Sequence, residues 1–127
     1  MEGELNIAVL QSPIDLDNPA SRLQWLTTQL KTGISEQIDL LVLPELFQSG
    51  YNDHHTISAA VETSDGPFAQ AMAQLSIAND VAIVYGYAEM FSGDTYNSAQ
   101  CINKLGFPIG HHRKLLLPPG FETTLFA

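Results

Sequence analysis

Apolar and polar positions alternate near the start of the chain, where Leu5, Ile7 and Val9 flank Asn6 and Ala8 before Gln11-Ser12-Pro13. Alternation predicts a strand, and the Gln-Ser-Pro end reads as its exit into a loop. A helical pattern follows. Leu23, Leu26, Leu30 and Ile34 recur at the spacing of one helix face, and Gly33 lies near the end. Asn18 suits the N-cap, and Pro19 suits the first helical position because its missing N–H has no partner there in any case. Residues 39–43 form a short continuous apolar run, the pattern of a central strand covered on both faces, so strand, helix and strand predict a βαβ unit.

A polar stretch over 47–64 leads into Asp65-Gly66-Pro67, a second start signal, followed by the stripe Phe68, Ala71, Met72 and Leu75. Asn79-Asp80 ends that helix. Residues 81–87 are rich in β-branched and aromatic side chains and predict a third buried strand. Ser92-Gly93-Asp94 and the turn at 103–106 are flanked by strand-like runs at 96–102 and 107–112, which predict antiparallel hairpins. The expected order is β-α-β-α-β-β-β, an α/β fold with no internal repeat or linker. Helices on one face of such a sheet leave the other face needing cover. The chain stops at Leu125-Phe126-Ala127 with no closing helix or strand in the pattern, so the expectation is a sequence cut short.

Composition narrows the classes. The 127 residues fit one domain at most, and 45% hydrophobic against 15% charged residues is a core-forming balance, well below the roughly 25% charge of an average soluble protein. Fourteen Asp and Glu against five Lys and Arg give a net charge of −9, whose field repels phosphate backbones and anionic membrane surfaces. Nucleic acid and membrane are therefore not expected as partners. The start Met1-Glu2-Gly3-Glu4 has no basic region, and the longest apolar run, 81–88, is far short of the roughly 18 residues of a membrane span, which points to a cytoplasmic protein. A single cysteine, Cys101, excludes an intrachain disulfide and a multi-cysteine zinc site.

Two residues stand out as chemistry. Glu45 follows the 39–43 strand at once in LPELFQSGY (43–51), and the carboxyl ends of strands in α/β sheets are where ligands bind. Pro44 keeps Leu43 extended, so the carboxylate is presented from a stiff support, although a solvated loop glutamate reads the same way. Lys114 ends the last expected strand in HHRKLLLPPGFE (111–122), and an ammonium beside buried apolar chain needs a carboxylate or a developing anion. Glu122 is the available partner; a lysine with its stem on apolar surface and its head in water is the alternative. From Asn97 onward three cations face one anion, while the chain before it carries −11, so Lys114 lies in the one locally cationic region.

These segments carry a resemblance. LPELFQSGY after a buried strand, then Tyr96-Asn97-Ser98-Ala99, then HHRKLLL followed by Glu122 and Phe126, resemble in order the first half of the nitrilase superfamily, the carbon–nitrogen hydrolases. The resemblance implies a four-layer αββα sandwich dimerising through its helix face, of which this chain supplies about half as a partial domain over 1–127. It implies Glu45 as general base, Lys114 as the oxyanion-stabilising lysine and Glu122 as a second, positioning glutamate, acting with a cysteine on a small amide or nitrile. No metal or organic cofactor is required for that chemistry, and a homo-oligomer is expected.

In that family the nucleophilic cysteine follows the lysine by a few tens of residues, so this chain is expected to lack it and to be inactive alone. Cys101 is no substitute: a tight turn at 103–106 pairs it near Phe107 or Pro108, about six residues and roughly 20 Å from Lys114. It reads as a small buried hydrophobe. Leu116 departs from the polar residue common in the family's run after the lysine. A non-catalytic protein that docks its uncovered face on a like subunit is the alternative function. A Glu45–Glu122 acid–base pair on glycosides is a further one, for which aromatic platforms are lacking. Among weaker candidates, His54-His55 and His111-His112 are adjacent pairs whose side chains diverge in a strand, so neither alone makes a bidentate metal site. Tyr51 reads as pocket lining near Glu45 or as loop packing, Trp25 as core or interface, and Pro119-Gly120 as a turn.

Overall fold

The computed structural model describes residues 3–34 and 36–127. Its elements run β1 (Ile7–Val9), α1 (Pro19–Thr28), β2 (Leu40–Val42), α2 (His54–Ala60), α3 (Pro67–Asn79), β3 (Ala82–Phe91), β4 (Asp94–Ile102), β5 (Pro108–Arg113) and α4 (Phe121–Leu125). The five strands form one sheet in the order β1-β2-β3-β4-β5, parallel from β1 to β3 and antiparallel from β3 to β5.

Local chemistry accounts for the elements. Asn18 caps α1 by accepting from the Ser21 N–H at 2.8 Å, and the Ser21 hydroxyl returns the bond to the Asn18 N–H at 3.1 Å. The helix then loosens into a π turn over Gln29–Gly33. Glu62 supplies the missing cap of α3, its two oxygens accepting from the N–H groups of Phe68 and Ala69 at 3.1 Å each. Asp80 closes α3 in the left-handed region at φ 51°. Ser92 and Gly93, both at positive φ, make the two-residue turn that joins β3 to β4.

The core lies between α1, α3 and one face of the sheet. Leu26 and Met72 pack with Leu41, Ile83, Tyr85 and Tyr87, and the rings of Trp25, Phe47, Phe68 and Tyr85 follow one another at centroid distances of 5.6–6.2 Å. Trp25 is thus part of the core's edge. The opposite face is covered only at one end, where Leu46, Ile57, Ala88 and Phe126 form a second, smaller cluster.

The structure departs from the sequence pattern at several points. The alternation in β1 does not bury Ile7 and Val9; pairing with Leu40 and Val42 puts them on the face away from α1 and α3, where they are 53% and 72% exposed. For the same reason β2 is covered fully on one side only: Leu41 is buried, while Leu40 and Val42 are half-buried. The polar stretch over 47–64 contains α2, capped by Asp53 through the Thr56 N–H at 2.9 Å, and His54 and His55 open that helix instead of lying in a strand. A closing helix, α4, follows Pro119, so Gly120 is its N-cap residue and not merely a turn.

The turn holding Glu45 is pressed against β3. Gly86 lies beneath it, and a Cβ there would overlap the backbone nitrogen of Leu46 and come within 2.9 Å of Cα and the carbonyl carbon of Glu45. The backbone of Gly86 is not at positive φ, so only space forbids a side chain. Gly86→Ala should therefore destabilise the chain by about 1–3 kcal/mol, as overpacking does, and lower the urea midpoint without changing the slope of the transition. An unchanged midpoint would show that the turn is not tightly seated.

Candidate active site

Glu45 stands three residues past the end of β2, at the head of a turn over 45–49. The next residue, Leu46, has φ 50° although it is not glycine, and its side chain is fully buried in the smaller cluster. Such backbone is held only where neighbours over-determine it. Gln48 does much of this: its N–H donates to the Gly86 carbonyl at 3.1 Å, its amide nitrogen donates to the Ala60 carbonyl at 2.7 Å, and its amide oxygen accepts from the Ala88 N–H at 3.3 Å. The Glu45 carboxylate is consequently fixed relative to β3 and α2.

Three other elements bring side chains to it. Lys114 continues β5 by one residue, its N–H donating to the Asn97 carbonyl of β4 at 2.8 Å, so the two side chains are neighbours on one face. The Lys114 ammonium donates to Glu45 Oε1 at 2.7 Å and to Glu122 Oε1 at 3.1 Å. Asn97 spends both amide hydrogens on the same two carboxylates, at 2.7 Å to Glu45 Oε1 and 3.1 Å to Glu122 Oε1. Tyr51 donates its hydroxyl to Glu122 Oε2 at 2.5 Å, and its ring meets Phe121 edge-on. Lys114 also reaches Glu122 Oε2 at 3.4 Å, whereas Glu45 Oε2 accepts nothing among the described residues.

Burial and charge differ across the cluster. Glu122, in the first turn of α4, is 1% exposed; the side chains of Lys114 and Glu45 are 32% and 45% exposed. Burial alone pushes the Glu122 carboxyl up, but donation from Tyr51, Lys114 and Asn97 outweighs it and holds the group below its ordinary value. Glu45 and then Glu122 raise Lys114, against the opposing effect of burial. Donation to Glu122 raises the Tyr51 phenol. A cavity of about 170 Å³ opens beside Glu45, Asn97 and Lys114 on the sheet face away from α1 and α3, with Val84, Ala99 and His112 in its wall.

The structure thus brings Glu45, Lys114 and Glu122 together. The apolar environment expected to force Lys114 into pairing is absent, since Leu115 and Leu116 are 83% and 86% exposed; two carboxylates at the end of the sheet do so instead. Asn97 was in a quoted segment but carried no expected role, and Tyr51 was only a possible lining residue. The signal for Asn97 was its place on the strand next to Lys114, visible only once the register is known. That register also moves Cys101. An irregularity between Cys101 and Ile102 pairs it with Gly110, four residues from Lys114 along the strand, so the separation is roughly 13 Å, shorter than expected and still beyond contact. Cys101 is half-buried, and burial raises its thiol, the opposite of activation.

His111 and His112 point to opposite faces: His111 Nε2 lies 3.1 Å from the buried carboxylate of Glu89, and His112 lines the cavity beside Glu45. Arg113 donates to Glu89 as well, at 2.8 Å. Among the described residues no three His, Cys, Asp or Glu side chains are grouped so as to hold a metal ion, and no helix is long and apolar enough to cross a membrane.

A carboxylate, an ammonium and a second carboxylate meet at the carboxyl end of an α/β sheet, where ligands bind in such folds, and groups of these types are able to move protons and to stabilise a developing anion. Comparison with known proteins gives the family. The family model for carbon-nitrogen hydrolase matches residues 6–127, and the chain belongs to that family. It is 35% identical over 117 residues to a hydrolase encoded in the pqqF 5′ region of Pseudomonas protegens, covering 91% of this chain and 39% of that protein. Over 116 residues it is 28% identical to a nitrilase of Pyrococcus abyssi, covering 89% of this chain and 44% of the relative. An (R)-stereoselective amidase from a Pseudomonas species is 32% identical over 80 residues, 63% of this chain and 29% of the amidase. The chain therefore spans less than half the length of these relatives. Its nitrilase-like α/β fold is seen in the crystal structure of a CN-hydrolase superfamily protein from Xanthomonas campestris, with TM-score 0.83 at 22% identity over 97% of this chain and 45% of that one. An N-terminal amidase superposes with TM-score 0.79 at 24% identity, over 94% of this chain and 29% of the amidase.

The ionisation of this cluster fixes the sign of a pH effect. Glu122, Glu89 and Asp53 are all held below their ordinary values in the folded chain, so the stability they contribute is complete above those values and is lost as pH falls through the folded ones. Lys114 is raised above its ordinary 10.5, so its contribution is complete below that pH and disappears as pH rises through the folded value. Urea midpoints should be level at neutral pH and decline on both sides, and Glu122→Gln should make the acid decline shallower. An acid limb as steep in Glu122→Gln as in the parent chain would show that Glu122 is not ionised in this network.

Proposed function

We propose that this chain carries the Glu–Lys part of a Glu-Lys-Cys amidase or nitrilase-like site, acting on a small-molecule amide or nitrile. The observation that carries the reading is the Lys114 ammonium shared between Glu45 and Glu122 while Glu45 Oε2 stays open toward the cavity side of the sheet. Glu45 is the general base, Lys114 the oxyanion partner and Glu122 the residue that positions Lys114.

A cysteine thiol from polypeptide outside these 127 residues adds to the amide carbon while Glu45 takes the thiol proton, and the carbonyl oxygen becomes an oxyanion beside Lys114. The oxyanion collapses, the C–N bond breaks and Glu45 returns the proton to the departing nitrogen. Water then adds to the acyl-thioester carbon, losing a proton to Glu45, and collapse of that second oxyanion breaks the C–S bond. The proton passes back to the sulfur, leaving a carboxylic acid and the free thiol. Asn97 and Tyr51 hold the two carboxylates in place throughout.

In the same reading the chain is part of a single carbon–nitrogen hydrolase domain of a cytoplasmic homo-oligomer, and the 127 residues have no turnover alone. The roughly 13 Å offset and raised thiol of Cys101 support that last point. In a longer polypeptide that joins this chain to a cysteine-bearing remainder, Glu45→Gln should lower kcat for amide hydrolysis by about 10²–10⁴ with an unchanged circular dichroism spectrum. Cys101→Ser should leave kcat as it was. Near-parental turnover by Glu45→Gln removes Glu45 from the role of base, and hydrolysis by the isolated 127 residues removes the need for an external thiol.

A further inference from the structure

Arg22 is 3% exposed, yet in a chain with 14 acidic side chains none pairs with it: no carboxylate oxygen lies within 4.0 Å of its guanidinium among the described residues. Lys104, Arg113 and Lys114 all have such partners. Its hydrogen bonds are two long ones, Nη1 to Ser12 Oγ at 3.5 Å and Nη2 to the Leu16 carbonyl at 3.3 Å, and Nε is buried without an acceptor. Burial lowers its pKa, but a guanidinium stays protonated in proteins, so the charge persists. Buried charges are ordinarily paired, and a buried, underused fork of donors suits an anion.

Space for one lies alongside. Arg22 lines a cavity of about 400 Å³ together with Ser12, Pro44, Gly50, Tyr51 and Asn52. The cavity is at the carboxyl ends of β1 and β2, where open α/β sheets receive ligands. Gly50, at φ +80°, lets the guanidinium sit against the backbone, since a Cβ there would overlap Nη2 and stand 3.0 Å from Cζ. Pro44 is common to this cavity and to the one beside Glu45 and Lys114. Tyr51, whose hydroxyl holds Glu122, forms part of its wall.

We propose that Arg22 and the cavity it lines form a carboxylate subsite, so that the preferred ligand is an amide that also bears a carboxylate. The amide end of this assignment rests on the hydrolase reading above; the carboxylate end rests on Arg22 alone. A net charge of −9 disfavours anions in general, so discrimination in favour of one requires a local cation of this kind. Asp15 and Asp17 flank Leu16 in the same loop and are exposed, and they form no ion pair with Arg22.

The test is binding to the 127-residue chain, followed by NMR of ¹⁵N-labelled protein, with glutaramate as the probe and neutral glutaramide as its control. The chain has two arginines, Arg22 and Arg113, so it offers two side-chain Nε–H signals, assigned by Arg22→Lys. Glutaramate should shift the Arg22 signal saturably and leave Arg113 unmoved, while glutaramide at equal concentration shifts neither. Arg22→Gln should weaken glutaramate binding at least tenfold, read from the backbone signals of Ser12, Gly50 and Asn52. If that variant fails to fold, the parental Arg22 signal decides the matter. No shift at Arg22, or equal shifts with both probes, overturns the subsite and leaves Arg22 as a strut for the loop at Leu16. Because no turnover is measured, an inert full-length enzyme would sink the hydrolase reading and leave a positive titration standing.

Discussion

One ammonium held between two carboxylates organises the end of the sheet. Glu45, Asn97, Lys114 and Glu122 come from four separate segments, and each is bonded to at least two of the others. Without Lys114, Glu122 would be a nearly fully buried anion beside a second carboxylate. Removing one partner from a buried pair costs roughly 3–5 kcal/mol, and this is a ceiling here because a third of Lys114 is open to solvent. The cluster therefore ties α4 to the sheet as well as arranging charge. Tyr51 adds the turn after β2 to the same knot through its bond to Glu122.

That knot needs Glu45 at a fixed height above the sheet, and the backbone supplies it at some strain. Leu46 adopts a left-handed conformation that costs on the order of 1–3 kcal/mol for a side chain of its kind, and it is held by burial, by the three bonds of Gln48 and by the absence of a side chain at Gly86. Substituting any of these acts on Glu45 at one remove. The strained residue is adjacent to the candidate base, which is where a rigid carboxylate would be needed.

Much of this was legible in the residues, and what was not has identifiable causes. The strands, α1 and α3 follow from periodicity and caps, and Glu45 and Lys114 from their places at strand ends. The segment over 54–60 was unreadable as a helix because two histidines, two alanines and a single buried Ile57 give no stripe, and only Asp53 marks its start. α4 is five residues long, too short for a period to show. The offset of Cys101 was misjudged because Asn103 does more than turn the chain: its side chain accepts from the N–H groups of both Leu105 and Phe107, opening a five-residue loop whose far side re-enters the sheet one residue out of step. Asn97 and Tyr51 gain their importance from partners 52 and 71 residues away, and long-range register of that kind is not written locally.

The charge count of the cluster bears on the chemistry proposed for it. Two carboxylates and one ammonium carry a net −1 at rest, which is an unfavourable place to generate an oxyanion. In the proposed first step, however, Glu45 gains the thiol proton as the oxyanion appears, so one negative charge is removed from the cluster while another forms beside Lys114. The total is unchanged, and the ammonium has only to exchange one anionic neighbour for another at similar distance. Glu122, buried and held ionised by three donors, does not compete for that proton, because its carboxyl lies below the ordinary range. In the proposed mechanism the surroundings give the two glutamates different tasks: the exposed one moves a proton, and the buried one keeps Lys114 in place.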